Sequence, residues 1–507
     1  MRKSVTFALS LALAVPAASG QIGIGPIHNS VPSANQRVDT PATVIAHGFQ
    51  LKTLAVGTDP LENPSPKITN FGLLADGTRT EPDQNLYLVL DHVQGPTQGY
   101  NYGHHFLFQG HENSGDMAYV TRINLDVTDP AHRITLLTPE GDDGFTHFNS
   151  IDGSTYDPIS KTLIFTEEVG SAGGAFQLSL TWPPVVTPLD GIVGKAGYEG
   201  IHPDDRGNLL IIEDTGGTGV NINPQDPASP KTAKQPNSFV YRFVPNDPTE
   251  ITKGGKLQAL QVSINHQPVV FNASDAVGDT FSANQLLLHT PGTSYPVRWV
   301  TVHDTDVDGT DSFDANAAAK TAGATPFKRP ENAQFLPGSN DRTFFFCPTG
   351  DTDADAGNVP ALAARGSWGS IFRVDLRRNR NSGSISIFVR GDATHASFDN
   401  LTFADGNTLL AAEDRGDSLH SQLNTLDSVW AFSINGHSAK RFIALGRDAT
   451  SITAGEDNEP TGLHVSDGSP FPSAQPGSPL NLLFARGFLT RQHGDNVVWE
   501  IVKSRHE

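Results

Sequence analysis

The chain has 507 residues, a single cysteine and a formal net charge of −20. This length gives room for one large domain or for two to three ordinary ones, and a core of that size needs no disulfides. The acidic balance argues against nucleic acid or an anionic membrane as a partner, because phosphate groups are bound by clustered Lys and Arg.

The N-terminus has the pattern of a secretory signal. Arg2 and Lys3 precede an apolar run, and small residues occupy Ala17 to Gly20. The run is too short to span a bilayer, and it lacks the arginine pair of the twin-arginine export route. We therefore expect residues 1–20 to be a signal peptide and residues 21–507 to form a periplasmic or secreted protein that does not enter the membrane.

Short apolar runs separated by Gly, Asn, Asp and Pro dominate the rest of the chain. Such runs predict β-strands joined by turns. They continue with no clear break between domains, so we expect an all-β fold in a single domain with loop insertions. In chain order, the predicted strands are NLYLVLDHV, TLIFTEEV, NLLIIEDT, SFVYRFV, RTFFFCP, SIFRVDL, TLLAAEDR, SVWAFSI and NVVWEIV.

Two of these strands belong to a longer repeat. The segments YEGIHPDDRGNLLIIEDTG and FDNLTFADGNTLLAAEDRG align with a shift of 200 positions, which places Glu199 on Asp399 and Glu213-Asp214 on Glu413-Asp414. Repeated antiparallel units predict a β-propeller, and a β-sandwich with coincidental similarity is the alternative. The acids that mark the repeated units suggest about six blades; they are Glu112, Asp152, Glu199, Glu331, Asp399 and Glu459.

The position of the acids within each unit predicts where they meet. In a β-hairpin, the first residue of one strand lies about 5 Å from the last residue of the other. Asp399 should therefore lie beside Glu413-Asp414, and equivalent acids of every blade should point at one end of the central channel. Gathered carboxylates need a cation, and a set of oxygen ligands suits Ca²⁺ or Mg²⁺. The alternative is that Asp and Asn merely favour turns and strand ends.

Several short motifs resemble the PhoX-type alkaline phosphatases. They are GHEN at 110–113, TLIFTEEVG, YEGI, PFKRPEN, FDNLTF and NEPTGLHVSDG. The resemblance implies a β-propeller with a metal cluster in its channel, which hydrolyses small phosphate monoesters with Ca²⁺ and iron. It implies that Arg329 contacts phosphate, and it implies metal ligands at Glu112, Glu168, Glu199, Glu331, Asp399 and Glu459.

The chain departs from this family's pattern in two places. The family has a cysteine just before the Glu pair as an iron ligand, and here that position is Thr166, a much poorer iron ligand than a thiolate. The family also tends to use twin-arginine export, which this signal lacks. We therefore expect several calcium ions acquired outside the cell, and no iron.

Other basic residues are candidates near the repeat. Arg390, Arg415 and His395 flank the Asp399 hairpin, and we take Arg390 as the second phosphate contact. A cluster of three histidines precedes Glu112: His104, His105 and His111. These histidines are either metal ligands or acids that protonate a leaving group, or they belong to a polar loop.

Two loops are rich in aspartate. DTDVDGTD at 304–311 begins like an EF-hand loop but has Ala315 where the bidentate Glu is required. GDTDADAGN at 350–358 follows the RTFFFCP strand and should lie at the acidic end of the channel. Cys347 in that strand has no partner and reads as a buried small hydrophobe.

Three functions fit these patterns. The first is a secreted calcium-dependent phosphatase, and the second is a non-catalytic propeller stabilised by calcium. The third is a different channel hydrolase such as a lactonase, because the propeller scaffold does not fix its reaction. The sequence contains no Gly-x-Ser-x-Gly, His-Glu-x-x-His or P-loop motif, so a serine hydrolase or a nucleotide-binding enzyme has no support.

Overall fold

The computed structural model describes residues 23–435, 438–470 and 485–504. The expected signal peptide, residues 1–20, lies outside the described residues. Most of the ordered structure consists of antiparallel strands, which group into four-stranded units called blades below. Strands are numbered outward within each blade from the inner strand.

The first three blades follow one another along the chain. Blade 1 contains Glu81–Val89, His105–Glu112, Tyr119–Asn124 and Ile134–Leu136. Blade 2 contains Ile151–Asp157, Thr162–Glu167, Gly174–Leu178 and Val186–Pro188. Blade 3 contains Tyr198–Pro203, Leu209–Glu213, Val240–Pro245 and Gly255–Ile264.

The next three blades complete the ring, and the N-terminal part of the chain contributes to the last two. Blade 4 contains Pro330–Phe335, Thr343–Pro348, Ser370–Leu376 and Ser382–Arg390. Blade 5 contains Phe398–Asp405, Thr408–Glu413, Ser428–Ser433 and Ala439–Ala444, with Val44–Ile45 paired outside it. Blade 6 contains Glu459–Ser466, Arg486–Gln492, Val497–Lys503 and, as its outer strand, Phe49–Ala55.

The inner strands close into a ring around a channel. Each inner strand contacts the inner strand of the next blade, and the inner strand of blade 6 contacts that of blade 1. The part of the chain that the structure describes thus contains six such units in cyclic order. This arrangement is a β-propeller, as the sequence predicted, and the β-sandwich alternative is wrong.

Further strands and helices are inserted between the blades. Tyr295–Asp304 pairs with the outer strands of both blade 3 and blade 4, so it joins these blades into one sheet. Short pairings involve Ile68–Asn70 with Leu73–Leu74, Gly219–Val220 with Ala233–Lys234, and Gln267–Pro268 with the outer strand of blade 3. The α-helices are Ala276–Thr280, Ala283–Leu288, Thr305–Asp308, Ala315–Thr321, Ala354–Gly357, Pro360–Ala363, Gly416–Leu423 and Ala449–Ala454; the 3₁₀ helices are Pro130–His132, Gly170–Ala172 and Ile251–Lys253.

None of the helices in the described ranges combines the length and the apolar character that crossing a membrane requires.

The second strand of blade 3 shows why the predicted strands are continuous apolar runs. Leu209 and Ile211 pack in a core with Ile164 of blade 2, whereas Leu210 and Ile212 pack in a core with blade 4. Successive side chains of a strand point to opposite faces, and both faces of a blade are covered by neighbouring blades. A blade strand therefore requires a continuous run of apolar residues, whereas a sheet with one face in solvent would alternate apolar and polar residues.

Candidate metal centre

The inner and second strands of each blade bring acidic residues to one end of the channel. In blade 5, Phe398 pairs with Glu413 at the open end of the hairpin, opposite its turn. Asp399 and Asp414 each come directly after a residue of this pair. In blade 3, Tyr198 pairs with Glu213 in the same way. The shift of 200 positions found in the sequence is thus a structural repeat with identical register.

A β-bulge lies at the acid in most of these inner strands. The register shifts between Tyr198 and Ile201 around Glu199, and between Pro330 and Asn332 around Glu331. Equivalent irregularities flank Asp83, Asp152 and Asp399. Bulges re-aim side chains near sites, so they contribute to turning these carboxylates toward the channel.

The adjacent acids at the ends of second strands have two different roles. Glu213 is fully buried and accepts hydrogen bonds from the Phe239 N–H at 3.0 Å and the Tyr241 hydroxyl at 2.8 Å. Glu413 likewise accepts the Ser428 N–H at 3.0 Å. The first acid therefore anchors the blade, and the second is left for the channel.

The second acids and the inner-strand acids converge in what we call the channel cluster. Ligand oxygens of Glu199, Asp214 and Glu331 all lie within 4.8 Å of one another. The same limit holds for two further triplets, Asp83–Glu112–Asp152 and Asp152–Glu168–Glu199. Asp152 is common to these two triplets, and Glu199 is common to the second of them and the first triplet. The channel cluster consists of Asp83, Glu112, Asp152, Glu168, Glu199, Asp214, Glu331, Asp399, Asp414 and Glu459.

Burial and mutual repulsion make this cluster electrostatically costly without a cation. Burial raises the pKa of Glu331 to about 8, and the charge of Asp214 adds to the effect. Burial, reinforced by the charges of Asp83 and Glu459, raises the pKa of Asp399 well above its ordinary value. Burial and neighbouring carboxylates act in the same direction on Asp83, Glu112, Asp152, Glu168 and Glu199.

Unsatisfied oxygens in the cluster match the needs of a hard cation. Oδ1 of Asp83, Oδ1 of Asp152 and Oδ1 of Asp214 are buried and have no hydrogen-bond partner among the described residues. Such orphaned acceptors are costly unless something else binds them. Because every ligand atom of the three triplets is a carboxylate oxygen, the set fits Ca²⁺ better than a metal that prefers nitrogen or sulfur.

The predicted ligands all lie in this region. Glu112, Glu168, Glu199 and Glu331 belong to the triplets. Glu459 lies close enough for its charge to raise the pKa of Asp83, Asp152 and Asp399, and the charge of Asp399 in turn raises the pKa of Glu199. That these residues bind metal stays a prediction.

The predicted ligand list omitted four members of the cluster, although the repeat had marked three of them as channel acids. Asp152, Asp214 and Asp414 lay within the aligned repeat, so their repeat positions were a usable signal. Asp83 was hidden because Glu112 was counted as the mark of the first unit; Glu112 in fact ends the second strand, and Asp83 occupies the inner one.

Blade 6 differs by placing a histidine after its second strand. His493 lies 3.4 Å from Glu459 and 3.4 Å from Glu81. Burial acts against its charged form, but the hydrogen bond and charge of Glu459, together with the charges of Glu81 and Glu456, outweigh burial and raise the pKa of His493 to about 9. No motif in the sequence pointed to this residue.

Arg329 lies at the edge of the cluster. Its Nε donates to Asp214 Oδ2 at 2.8 Å, and its Nη2 lies 2.7 Å from that oxygen and 3.5 Å from Glu331 Oε1. Its φ of 52° is unusual for a residue other than glycine, and especially for one that precedes proline. Strained conformations of this kind concentrate at functional sites.

Two lysines accompany Arg329. Lys328 Nζ lies 2.9 Å from both carboxylate oxygens of Asp351, deep in the protein. Lys234 Nζ donates to Thr352 Oγ1 at 3.3 Å, and burial followed by the charge of Arg329 lowers the pKa of Lys234. Three basic side chains therefore line one side of the cluster, where Lys328 is paired with Asp351 and Arg329 with Asp214.

Arg390 is not brought to the cluster. It is the exposed last residue of the outer strand of blade 4, where it pairs with Ser370. Three strand spacings separate that strand from Glu331, which is roughly 14 Å. Arg390 thus precedes the Asp399 hairpin in sequence but does not share the surroundings of Arg329.

The other basic candidates have structural contacts. His104 and His105 pair with Asp91 and Asp126 at the far end of blade 1. Arg415 is buried against Glu413, and His395 contacts Asp392.

His111 is a core residue. Its Nε2 forms a hydrogen bond with Thr121 Oγ1 at 2.8 Å, and its ring stacks on that of Tyr119. Burial lowers its pKa to about 3, which keeps the ring neutral.

The two aspartate-rich loops are used for capping and ion pairing. Asp304 caps the helix Thr305–Asp308, and it pairs with Lys256. Asp353 caps Ala354–Gly357, while Asp351 is committed to Lys328. The second loop lies beside the cluster, but its acids are outside the triplets.

Thr166 and Cys347 occupy equivalent places in blades 2 and 4. Thr166 Oγ1 donates to the carbonyl of Glu199 at 2.7 Å, and Cys347 Sγ donates to the carbonyl of Asp399 at 2.6 Å. Burial raises the pKa of the Cys347 thiol well above its usual range. Both side chains therefore link their blade to the next, and neither offers a thiolate.

The family model of the alkaline phosphatase PhoX matches residues 217–469. Among solved structures, Pseudomonas fluorescens PhoX in complex with vanadate, a transition state analogue, superposes with a TM-score of 0.58 and 12% identity, covering 94% of this chain and 97% of that chain. A gluconolactonase from Xanthomonas campestris covers 94% of this chain and 100% of its own with 10% identity, but its TM-score is 0.39. No match was found among the curated proteins.

Proposed function

We propose that this chain, a divergent relative of the PhoX-type alkaline phosphatases, is an exported calcium-dependent hydrolase of small phosphate monoesters. The family match supports a phosphoesterase-like hydrolase. The observation that carries the finer proposal is the buried channel cluster with unsatisfied carboxylate oxygens beside the cationic edge formed by Arg329 and Lys234.

The cationic edge would bind the phosphate. The guanidinium of Arg329 presents a planar fork that matches two phosphate oxygens. In the present structure the fork is held on Asp214 and is about one-fifth exposed, so part of it is open to the channel. Lys234 would add a second positive charge on the same side.

The channel cluster would hold the metal. Carboxylates of Glu112, Asp152, Glu168, Glu199, Asp214 and Glu331 supply the oxygen ligands that Ca²⁺ takes. When bound, the calcium ions would neutralise phosphate oxygens and make the phosphorus a better electrophile. Metal binding would also relieve the repulsion that raises the pKa values of these acids.

The side chains present support calcium without iron. Thr166 stands where the family pattern has a cysteine, and its hydroxyl is bound to the Glu199 carbonyl. An oxygen-only set has little preference for iron over more abundant hard cations. Loading after export, as the N-terminal signal suggests, would favour calcium further.

Hydrolysis of a chromogenic phosphate monoester at alkaline pH tests the proposal. We expect turnover with Ca²⁺, loss of turnover on chelation, and recovery when Ca²⁺ is restored. In Glu331→Gln, which keeps size but removes one ligand charge, we expect kcat to fall by about 10²-fold or more.

Glu250→Gln is the matched control, because Glu250 is exposed and forms an ion pair with Lys253 at the surface. Its rate should equal that of the unmodified protein. No turnover with any divalent metal, or full activity in Glu331→Gln, would refute the proposal.

A further inference from the structure

The end of the propeller opposite the channel cluster contains a cavity. It has a volume of about 640 Å³ and is lined by residues 92–104, the loop after the inner strand of blade 1, together with Trp182 of blade 2. We call it the loop pocket. Its volume is in the usual range of small-molecule sites.

The loop pocket is far from the proposed chemistry. The inner strand of blade 1 runs from Glu81 at the cluster end to Val89 at the pocket end. At the normal rise per residue this strand spans about 25 Å. A molecule in the pocket could not contact the channel cluster.

A buried polar network holds the loop in place. The Tyr102 hydroxyl donates to Glu62 Oε1 at 2.6 Å and accepts the Thr97 N–H at 3.0 Å. His132 lies 2.8 Å from the same carboxylate oxygen, and Arg122 donates to the Gln94 carbonyl at 2.9 Å. The pocket is therefore preorganised rather than formed by a loose loop.

Glycine is required where the loop crosses this network. A Cβ at Gly95 would lie 2.4 Å from the ring of Tyr102. Arg122 also stacks on that ring, 5.1 Å from its centroid. The glycine at position 95 is thus required by the ring of Tyr102.

The lining combines aromatic rings with neutral polar groups. Tyr100 and Trp182 are partly exposed, and Tyr100 is oriented by stacking on His132 at 3.9 Å. Side-chain amides come from Gln98 and Asn101, both exposed. Among the described residues that line the pocket there is no Asp, Glu, Lys or Arg.

This chemistry points to an uncharged ligand with many hydroxyl groups. Amphipathic aromatic rings pack against the apolar faces of such a molecule, and amides donate to and accept from its hydroxyls. A phosphorylated or sulfated ligand would need a fixed positive charge, whereas the basic groups of this lining are the imidazoles of His92 and His104, and His104 already contacts Asp91 at 2.9 Å. A purely apolar ligand would leave the amides unsatisfied.

We propose that the loop pocket binds a neutral sugar unit of an oligosaccharide or polysaccharide. The site is separate from the channel cluster, so it would anchor the protein to a glycan without taking part in hydrolysis. Its existence does not depend on the proposed function.

Affinity electrophoresis in native gels tests this proposal with the full-length protein. The gels contain dextran, laminarin, galactomannan or xyloglucan, and we expect at least one of these neutral polysaccharides to retard the protein. We expect Trp182→Ala to weaken the retardation by about tenfold, as the loss of one aromatic contact would.

Gln98→Ala is the second variant, because it removes an exposed amide without touching the core. It should also weaken binding, and both variants should keep the rate of phosphate ester hydrolysis. Phe145→Ala removes an exposed aromatic ring outside the pocket and should bind as the unmodified protein does.

The outcome distinguishes the two proposals. Retardation by none of the neutral polysaccharides, or retardation that both variants retain, would overturn the sugar site whatever the hydrolase assay shows. Retardation only by a sulfated polysaccharide would overturn it as well, because the ligand would then be an anion.

Discussion

At the scale of single residues, two adjacent carboxylates at the end of one strand have different roles, one structural and one in the channel cluster. Glu213 is satisfied by the Phe239 amide, the Tyr241 hydroxyl and the Asn316 amide, the last at 2.6 Å. Asp214 lies one residue further on, has an unsatisfied buried oxygen and belongs to a triplet. The hydrogen-bond partners, rather than the residue type, decide which acid is structural.

This division predicts that the two acids respond differently to substitution. Glu213→Ala leaves three buried donors without an acceptor, so we expect the free energy of unfolding to fall by about 3 kcal/mol. Asp214→Asn preserves shape, and its weaker pairing with Arg329 is offset by reduced repulsion within the cluster, so stability should change by less than about 1 kcal/mol while bound calcium and hydrolysis are lost. Urea unfolding and calcium per chain measure the two effects, and parallel losses in both variants would contradict the assignment.

At the scale of the blade, close approach between inner strands depends on small residues beside the acids. A Cβ at Gly153 would lie 2.0 Å from the Glu199 carbonyl oxygen and 2.5 Å from Thr166 Oγ1. The same carbonyl accepts the Thr166 hydroxyl. The glycine therefore lets blade 2 and blade 3 bring their acids together.

Substituting this glycine should separate the two blades. We expect Gly153→Ala to destabilise the protein by about 1–3 kcal/mol, because the added methyl group must displace backbone. The shift of Glu199 should also weaken calcium binding. Thermal unfolding and calcium titration provide the measurements.

Gly406→Ala is the control for that substitution. Gly406 lies in the turn of the blade 5 hairpin, where a Cβ would meet nothing within 4 Å. Its stability should change by less than about 0.5 kcal/mol. Equal losses in both alanine variants would show that the close approach at Gly153 is unimportant.

At the scale of the whole molecule, the ring is closed by segments from both ends of the chain. Phe49–Ala55 pairs with Val497–Lys503 as the outer strand of blade 6. The channel cluster draws on all six blades, so each of its members is held by the closed ring. Removal of a bound cation should therefore lower the stability of the whole fold.

Removal of metal should destabilise the protein in a manner that depends on pH. A carboxyl whose pKa is higher in the folded than in the unfolded protein binds protons preferentially when folded. Its contribution is therefore complete below the unfolded value of about 4.3 and is lost as pH rises through about 8, the value for Glu331. In chelator, we expect Tm to be lower at pH 8.5 than at pH 5 by about 5 °C or more.

Addition of Ca²⁺ is the control for this experiment. Under the proposed function calcium would bind the ionised carboxylates of the folded state, so it should raise Tm strongly at pH 8.5 and little at pH 5. A Tm in chelator that stays equal or rises between pH 5 and pH 8.5 would show that the pKa values of the channel cluster are not raised in the folded protein.

The sequence by itself determined the strands, their repeat and the acidic end of each hairpin. Every strand predicted from an apolar run is present, and the 200-residue repeat keeps its register in Tyr198–Glu213 and Phe398–Glu413. These features are local, because alternation, turn residues and hairpin pairing involve neighbours along the chain.

Only the tertiary structure decided which of these residues share a site. Bulges contribute to turning Asp83 and Glu199 toward the channel cluster, Arg329 is held on Asp214 from another blade, and Arg390 lies on an outer strand. The pairing of the N-terminal strand with the C-terminal one was equally invisible in the sequence. Each of these contacts joins residues far apart in the chain, so each depends on how complete blades pack and not on any local pattern.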